Sequence, residues 1–134
     1  MPYICHKLRC VEEQAVTGDA DCVALIRATV AGLRGTSWSG WREGAPVVGG
    51  QRITRGTAIA TFEDGRFANR AGFDHAAIFL EYAGSGIWVL EQRNGSDSKT
   101  VQRSFIPTGQ ADHNGAFANP AKAAAAFAVI ELHG

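Results

Sequence analysis

From Asp19 to Leu33 the stretch DADCVALIRATVAGL sets Val23, Ile26, Val30 and Leu33 at steps of three and four, with Asp19 or Asp21 available as the N-cap. That spacing puts the four side chains on one face and predicts a helix starting at or just before Cys22. Behind it, Gly35 to Pro46 mixes Gly, Ser and Pro with Trp38 and Trp41 at no clear period, which predicts a loop carrying large aromatic surface. Beyond Ile53 the signal changes to short strand-like runs: Thr57–Phe62, His75–Tyr82 and Ile87–Gln92. Asp64-Gly65 and Gly84-Ser85-Gly86 punctuate them, and the second gap is short enough to join an antiparallel hairpin. Thr100–Ile106 is a further candidate strand, Pro107–Pro120 a long loop around His113, and Phe127–Leu132 a strand that closes the sheet. The alanine run Ala121–Ala126 fits either a short helix or the approach to that strand. One helix followed by strands predicts an α+β fold, with the helix packed on an antiparallel sheet.

Composition bounds what such a fold can do. A chain of 134 residues, 46% hydrophobic, fits one core, so residues 1–134 are expected to form a single domain. Thirteen Lys and Arg balance thirteen Asp and Glu, which leaves no electrostatic footprint for nucleic acid or an anionic membrane surface. The longest apolar stretch, Ala123 to Ile130, falls far short of the roughly 18–20 residues a spanning helix needs, so no membrane insertion is expected. The first ten residues intersperse charges and match no Sec-type signal peptide, so the protein is expected to be made in the cytoplasm. Cys5, Cys10 and Cys22 lack the paired spacing of zinc knuckles, and at least one thiol must stay free; Cys5 and Cys10 can pair or remain reduced.

The cysteine at the helix start carries the chemistry. Unpaired amides and the macrodipole of a first helical turn favour an anion, so the thiolate of Cys22 should form more readily than that of free cysteine. A nucleophilic thiol needs a base, and His75 opens a strand after the Gly72-Phe73-Asp74 turn, a position from which an imidazole can reach a neighbouring helix start. A third polar group should accept the other ring N–H. Strand alternation lets Glu91 or Gln92 face the histidine but not both. Glu91 is favoured because it shares its face with Val89 and Arg93 and leaves Trp88 and Leu90 to a more apolar one.

These residues resemble a known family. Asp21-Cys22-Val23-Ala24-Leu25-Ile26-Arg27 resembles the helix-borne cysteine segment of the CHAP and NlpC-type peptidoglycan amidases. Gly56–Phe62 is similar to the strand before their histidine, Asp74–Phe79 to the histidine strand, and Val89–Gln92 to the next one. The resemblance implies a papain-like α+β fold that cleaves amide bonds in cell-wall peptides through a Cys-His thioacyl mechanism, with Cys22, His75 and Glu91 catalytic and no metal or other cofactor. Asp21 stands where CHAP enzymes commonly carry Gln, so backbone N–H groups, that of Cys22 included, would stabilise more of the oxyanion. Asp21, Trp38, Trp41 and Gln92 are assigned to the substrate groove. Small leaderless proteins of this type resemble type VI secretion amidase effectors. That likeness implies export into a competitor's periplasm and a cognate immunity protein that plugs the groove.

Plainer roles fit each residue singly. Cys22 can be ordinary core, His75 a strand-end histidine on a backbone carbonyl, and Glu91 a solvated partner of Arg93 or Lys99. Trp38 and Trp41 suit a core lid as well as a groove, and His6, His113 and His133 read as surface residues. Two other function classes use the same scaffold: a different Cys-His acyltransferase or deamidating toxin, and a non-catalytic binding module.

Overall fold

The computed structural model describes residues 3–5, 22–30, 32–33, 37–50, 52–68, 75–92, 101–109 and 119–132, with side chains at all of them except 22–24. Its centre is a six-stranded, wholly antiparallel sheet. The strands are β1 (Trp41–Pro46), β2 (Ala58–Thr61), β3 (Ala76–Ala83), β4 (Gly86–Glu91), β5 (Gln102–Pro107) and β6 (Phe127–Leu132), in the spatial order β1-β6-β2-β3-β4-β5. A helix, α1 (Cys22–Thr29), precedes them, and single 3-10 turns occur at Trp38–Gly40, Pro120–Lys122 and Ala124–Ala126. The fold is mostly antiparallel sheet with few helices, in keeping with the sequence pattern.

Five of the six strands coincide, within two residues, with the apolar runs that predict them. The exception is β1. Gly, Ser and Pro made Gly35–Pro46 read as a loop, yet Trp41–Pro46 pairs along the last strand, Trp41 opposite Leu132 and Glu43 opposite Ile130, with a register shift before Pro46. Pro46 is tolerated because β1 is an edge strand, where a missing N–H breaks no second ladder. The predicted turns hold as well. Asp64 and Gly65 both take positive φ, 52° and 78°, and join Glu63 to Arg66 through reciprocal bonds of 2.7 and 3.0 Å, as a type I′ connection does. Gly84 and Ser85 link β3 to β4, with Ala83 opposite Gly86. The alanine run resolves into 3-10 turns rather than an α-helix. Most of Pro107–Pro120 and the candidate N-caps Asp19 and Asp21 lie outside the described residues.

Because side chains alternate across a strand, the sheet sorts its residues into two apolar layers. The first gathers Ala58, Ala60, Ala76, Ile78, Leu80, Leu90 and Ile130 under Leu25 and Ile26 of α1, with Val30, Leu33, Trp41 and Phe67. The second gathers Ile59, Ala77, Phe79, Ile87, Val89, Ile106 and Phe127 with Val47 and Ala124. Helix α1 contacts β3. Its exit is set by Gly32, at φ +91°, where a Cβ would lie 2.8 Å from the ring of Tyr3. The segment Tyr3–Cys5 in turn bonds to the start of β2, Ala58 N–H donating to Tyr3 O and Cys5 N–H to Gly56 O, both 2.8 Å. Cys5 is a buried free thiol in the first layer, so the pairing of Cys5 with Cys10 is not formed. No described helix is long and apolar enough to cross a membrane.

Candidate active site

The register of one hairpin builds the site. Ile78 stands opposite Leu90 and Phe79 opposite Val89, and continuing that register puts Ala77 opposite Glu91. His75, the residue before β3, is then the diagonal cross-strand neighbour of Glu91, the last residue of β4. Both side chains belong to the second layer. Their Nε2 and Oε1 atoms are 2.7 Å apart, and the side chains are 4% and 9% exposed, so the contact is almost wholly out of water. With Glu91 ionised the carboxylate can only accept, so Nε2–H would donate to it, and a neutral ring would then carry its lone pair on Nδ1. The same carboxylate stabilises the ring once it takes a second proton there.

The backbone of His75 is held as closely as its ring. Its N–H donates to Thr61 Oγ1 at 3.1 Å, and its carbonyl accepts from Thr61 N–H at 3.0 Å. Phe127, on β6 beside β2, sets its ring edge-on to the imidazole with centroids 6.4 Å apart. Thr61 is a positioning residue that sequence reasoning missed. It sat inside a correctly read strand, but only the β2–β3 register, Ala60 opposite Ala76, brings it to His75.

Of the other site candidates, Gln92 is buried and follows Glu91, so alternation turns it to the opposite face. Strand alternation in the sequence favours Glu91 as lying on the less apolar face. That reason does not operate, because both layers are apolar and Val89, beside Glu91, is fully buried. Trp41 is a correction: it is fully buried in the first layer, 5.2 Å from the ring of Phe67, and a side chain with no exposure cannot line a groove. The inward position that opens β1 puts it there, and among the described residues nothing accepts from its indole N–H. Trp38 is half-buried on the same layer, edge-on to Phe67 at 6.2 Å. Asp21, His6, His113, His133 and Cys10 lie outside the described residues, as does the side chain of Cys22; Cys22 is the first residue of α1, which ends at Thr29 instead of running on to Leu33. Leu25 and Ile26 seat α1 on the first layer, the face of the sheet opposite the imidazole. Among the described residues no three His, Cys, Asp or Glu side chains gather as metal ligands.

Comparison with known proteins gives this arrangement its context. The family described as Domesticated amidase effector 2 matches residues 2–119. A "Type VI secretion amidase effector 2 protein" of Salmonella typhi is 32% identical over 136 residues, covering 98% of this chain and 100% of that protein. A "Domesticated amidase effector 2" of Ixodes scapularis is 33% identical over 96 residues, 71% of this chain and 66% of the relative. A solved structure titled "Type 6 secretion amidase effector 2 (Tae2)" superposes with a TM-score of 0.86 at 31% identity, over 100% of this chain and 97% of that one. An amidase effector was the expectation, and the chain belongs to the Domesticated amidase effector 2 family.

Proposed function

We propose that this amidase cleaves amide bonds in the stem peptides or crosslinks of peptidoglycan, by a Cys22–His75–Glu91 mechanism on a papain-like arrangement of cysteine helix and sheet. The observation that carries the reading is the buried 2.7 Å contact between His75 Nε2 and Glu91 Oε1, in a chain of an amidase-effector family. Nδ1 of His75 takes the Cys22 proton, and the thiolate attacks the scissile carbonyl carbon. The tetrahedral intermediate collapses as the imidazolium returns its proton to the leaving amine, and a thioester to Cys22 remains. Water, losing a proton to Nδ1, hydrolyses the thioester and frees the carboxylate. Glu91 keeps Nε2–H directed and stabilises the imidazolium in both halves. Backbone N–H groups at the start of α1 stabilise the oxyanion, and Asp21 and Trp38 belong to the substrate side of the site, whereas Gln92 is buried on the other face.

The relatives' names speak of type VI secretion. In this reading the protein is delivered by such a system into the periplasm of a target bacterium, and an immunity protein that fills the groove protects the producer. The test is incubation with purified peptidoglycan. The wild-type protein is expected to release fragments with new amine and carboxyl ends, and Cys22→Ala none. Intact sacculi after prolonged incubation with folded wild-type protein would sink the proposal.

A further inference from the structure

Glu91 also borders a second feature of the molecule. A hollow of about 330 Å³ is lined by Glu91, Phe105, Ile106, Pro107, Ala121 and Lys122. Its size falls within the roughly 300–1,000 Å³ usual for small-ligand sites. One wall is the edge strand β5, the other the 3-10 turn Pro120–Lys122. That turn is fixed by Lys122 N–H donating to Asn119 O at 3.0 Å and Ala123 N–H to Pro120 O at 3.1 Å. The wall is tied back to β5, since Ala125 N–H donates to Thr108 O at 2.9 Å, and Gly109, at φ +78°, passes so close to Ala123 that a Cβ would collide with it. The hollow is thus built into the fold.

Its chemistry is asymmetric. Among the described residues that line it, four are apolar, Glu91 is held by His75, and Lys122 is the one cationic group and is exposed. Apolar walls with a single ammonium at the rim suit an extended aliphatic arm that ends in, or carries, a carboxylate. Such an arm would be repelled by Glu91 unless a cation offset it, and Lys122 stands where it can. We propose that this hollow is a substrate subsite in which Lys122 binds a free carboxylate of the peptide being cut, so that the enzyme prefers acidic stem peptides to amidated ones. The proposal rests on the peptidoglycan-peptide reading and names the substrate feature that the same site selects.

The experiment compares a stem-derived peptide with free carboxylates against the same peptide with those carboxylates amidated, at low and high salt. Wild type is expected to favour the acidic peptide by about 3- to 10-fold in kcat/KM, mostly through KM, with the preference fading as salt rises. Lys122→Ala should abolish the preference, and Lys122→Glu should reverse it. Arg66→Ala, which removes the same charge from the Glu63–Arg66 turn, should retain it. Binding of both peptides to Cys22→Ser protein, followed by calorimetry, reports on the subsite without turnover. If Lys122→Ala keeps the wild-type acidic-to-amidated ratio in turnover or in binding, the assignment of Lys122 is overturned. If wild type cuts neither peptide while the Cys22→Ser protein still discriminates through Lys122, it is the hydrolase reading that fails instead.

Discussion

The two layers of this sheet are made of the same material and end differently. Under α1, the first layer is closed by Leu25, Ile26, Val30, Leu33, Trp41 and Phe67 over an alternating set of Ala, Ile and Leu. The second is as apolar along Ile59, Ala77, Phe79, Ile87 and Val89, yet at the end of β3 and β4 the alternation continues into His75 and Glu91. The first layer obtains stability from area removed from water, at roughly 25 cal/mol per Å². The second layer gives up part of that gain to hold two ionisable groups against each other, where low dielectric strengthens their interaction and makes either one costly alone. Substitutions in the first layer should therefore cost stability alone, whereas those at the end of the second should cost rate, stability or both.

The largest effects are expected at the groups proposed to react. Cys22→Ala and His75→Ala should each lower kcat/KM by at least about 1,000-fold on peptidoglycan, since residues that act as a unit fail together. The two should part in thermal unfolding. His75→Ala strips a buried carboxylate of its imidazole, and breaking a buried pair costs about 3–5 kcal/mol. Cys22→Ala leaves that pair intact and should melt much closer to wild type. Equal melting losses in the two variants would mean that the His75–Glu91 contact does not hold this end of the sheet.

Next in size is a first-layer control. Leu25→Ala removes a fully buried side chain on α1 and should cost about 2–5 kcal/mol by denaturant titration. Well below its melting temperature, kcat should change little. A large fall in kcat with the protein still folded would show that the seat of α1 on the sheet sets the position of the thiol as well as the stability of the core.

How much of this was legible before folding follows from the range of the interactions involved. Short apolar runs such as those that become Ala58–Thr61, Ala76–Ala83 and Gly86–Glu91 are local and announce their strands, and Asp64-Gly65 and Gly84-Ser85 announce the turns. It is Glu91 that lies against His75, and the polar face by which the sequence favours it over Gln92 has no counterpart in the molecule. What stayed hidden was non-local. The strand β1 is stabilised by pairing with β6, some ninety residues on in the chain, which overrides the Gly and Pro that suggest a loop. The burial of Trp41 comes with that pairing, and the clamp of Thr61 on His75 depends on a β2–β3 register that no local pattern encodes.

Glu91→Gln tests the charge of the pair with its shape retained. The amide oxygen can still accept from Nε2–H, so the ring orientation survives and only the negative charge is lost. The expected fall in kcat/KM is about 10- to 100-fold, a share of the roughly 10²–10⁴-fold that a positioned acid–base group contributes. The direction with pH is more telling than the size. A carboxylate favours the imidazolium, so under the proposed mechanism the thiolate–imidazolium couple should persist to higher pH with Glu91 than without it. The alkaline limb of the kcat/KM profile should therefore move to lower pH in Glu91→Gln, and a limb that stays in place would show that the carboxylate only orients the ring.

The smallest effect, and the one most specific to this fold, belongs to Thr61. Thr61→Val keeps the shape of the buried side chain but removes the hydroxyl that accepts from His75 N–H at 3.1 Å, and leaves that amide without its partner. A buried donor left unmade costs about 1–3 kcal/mol. The backbone bond from Thr61 N–H to His75 O remains, so the strand should still form, with the imidazole less firmly placed. The expectation is a modest loss of stability together with a several-fold fall in kcat at little change in KM, because positioning matters more to the transition state than to substrate binding. Thr61→Ser, which restores the hydroxyl, should recover most of the rate. A Thr61→Val enzyme with full kcat would mean that Glu91 and Phe127 suffice to hold His75, and that the second layer needs no help from β2 to present its base.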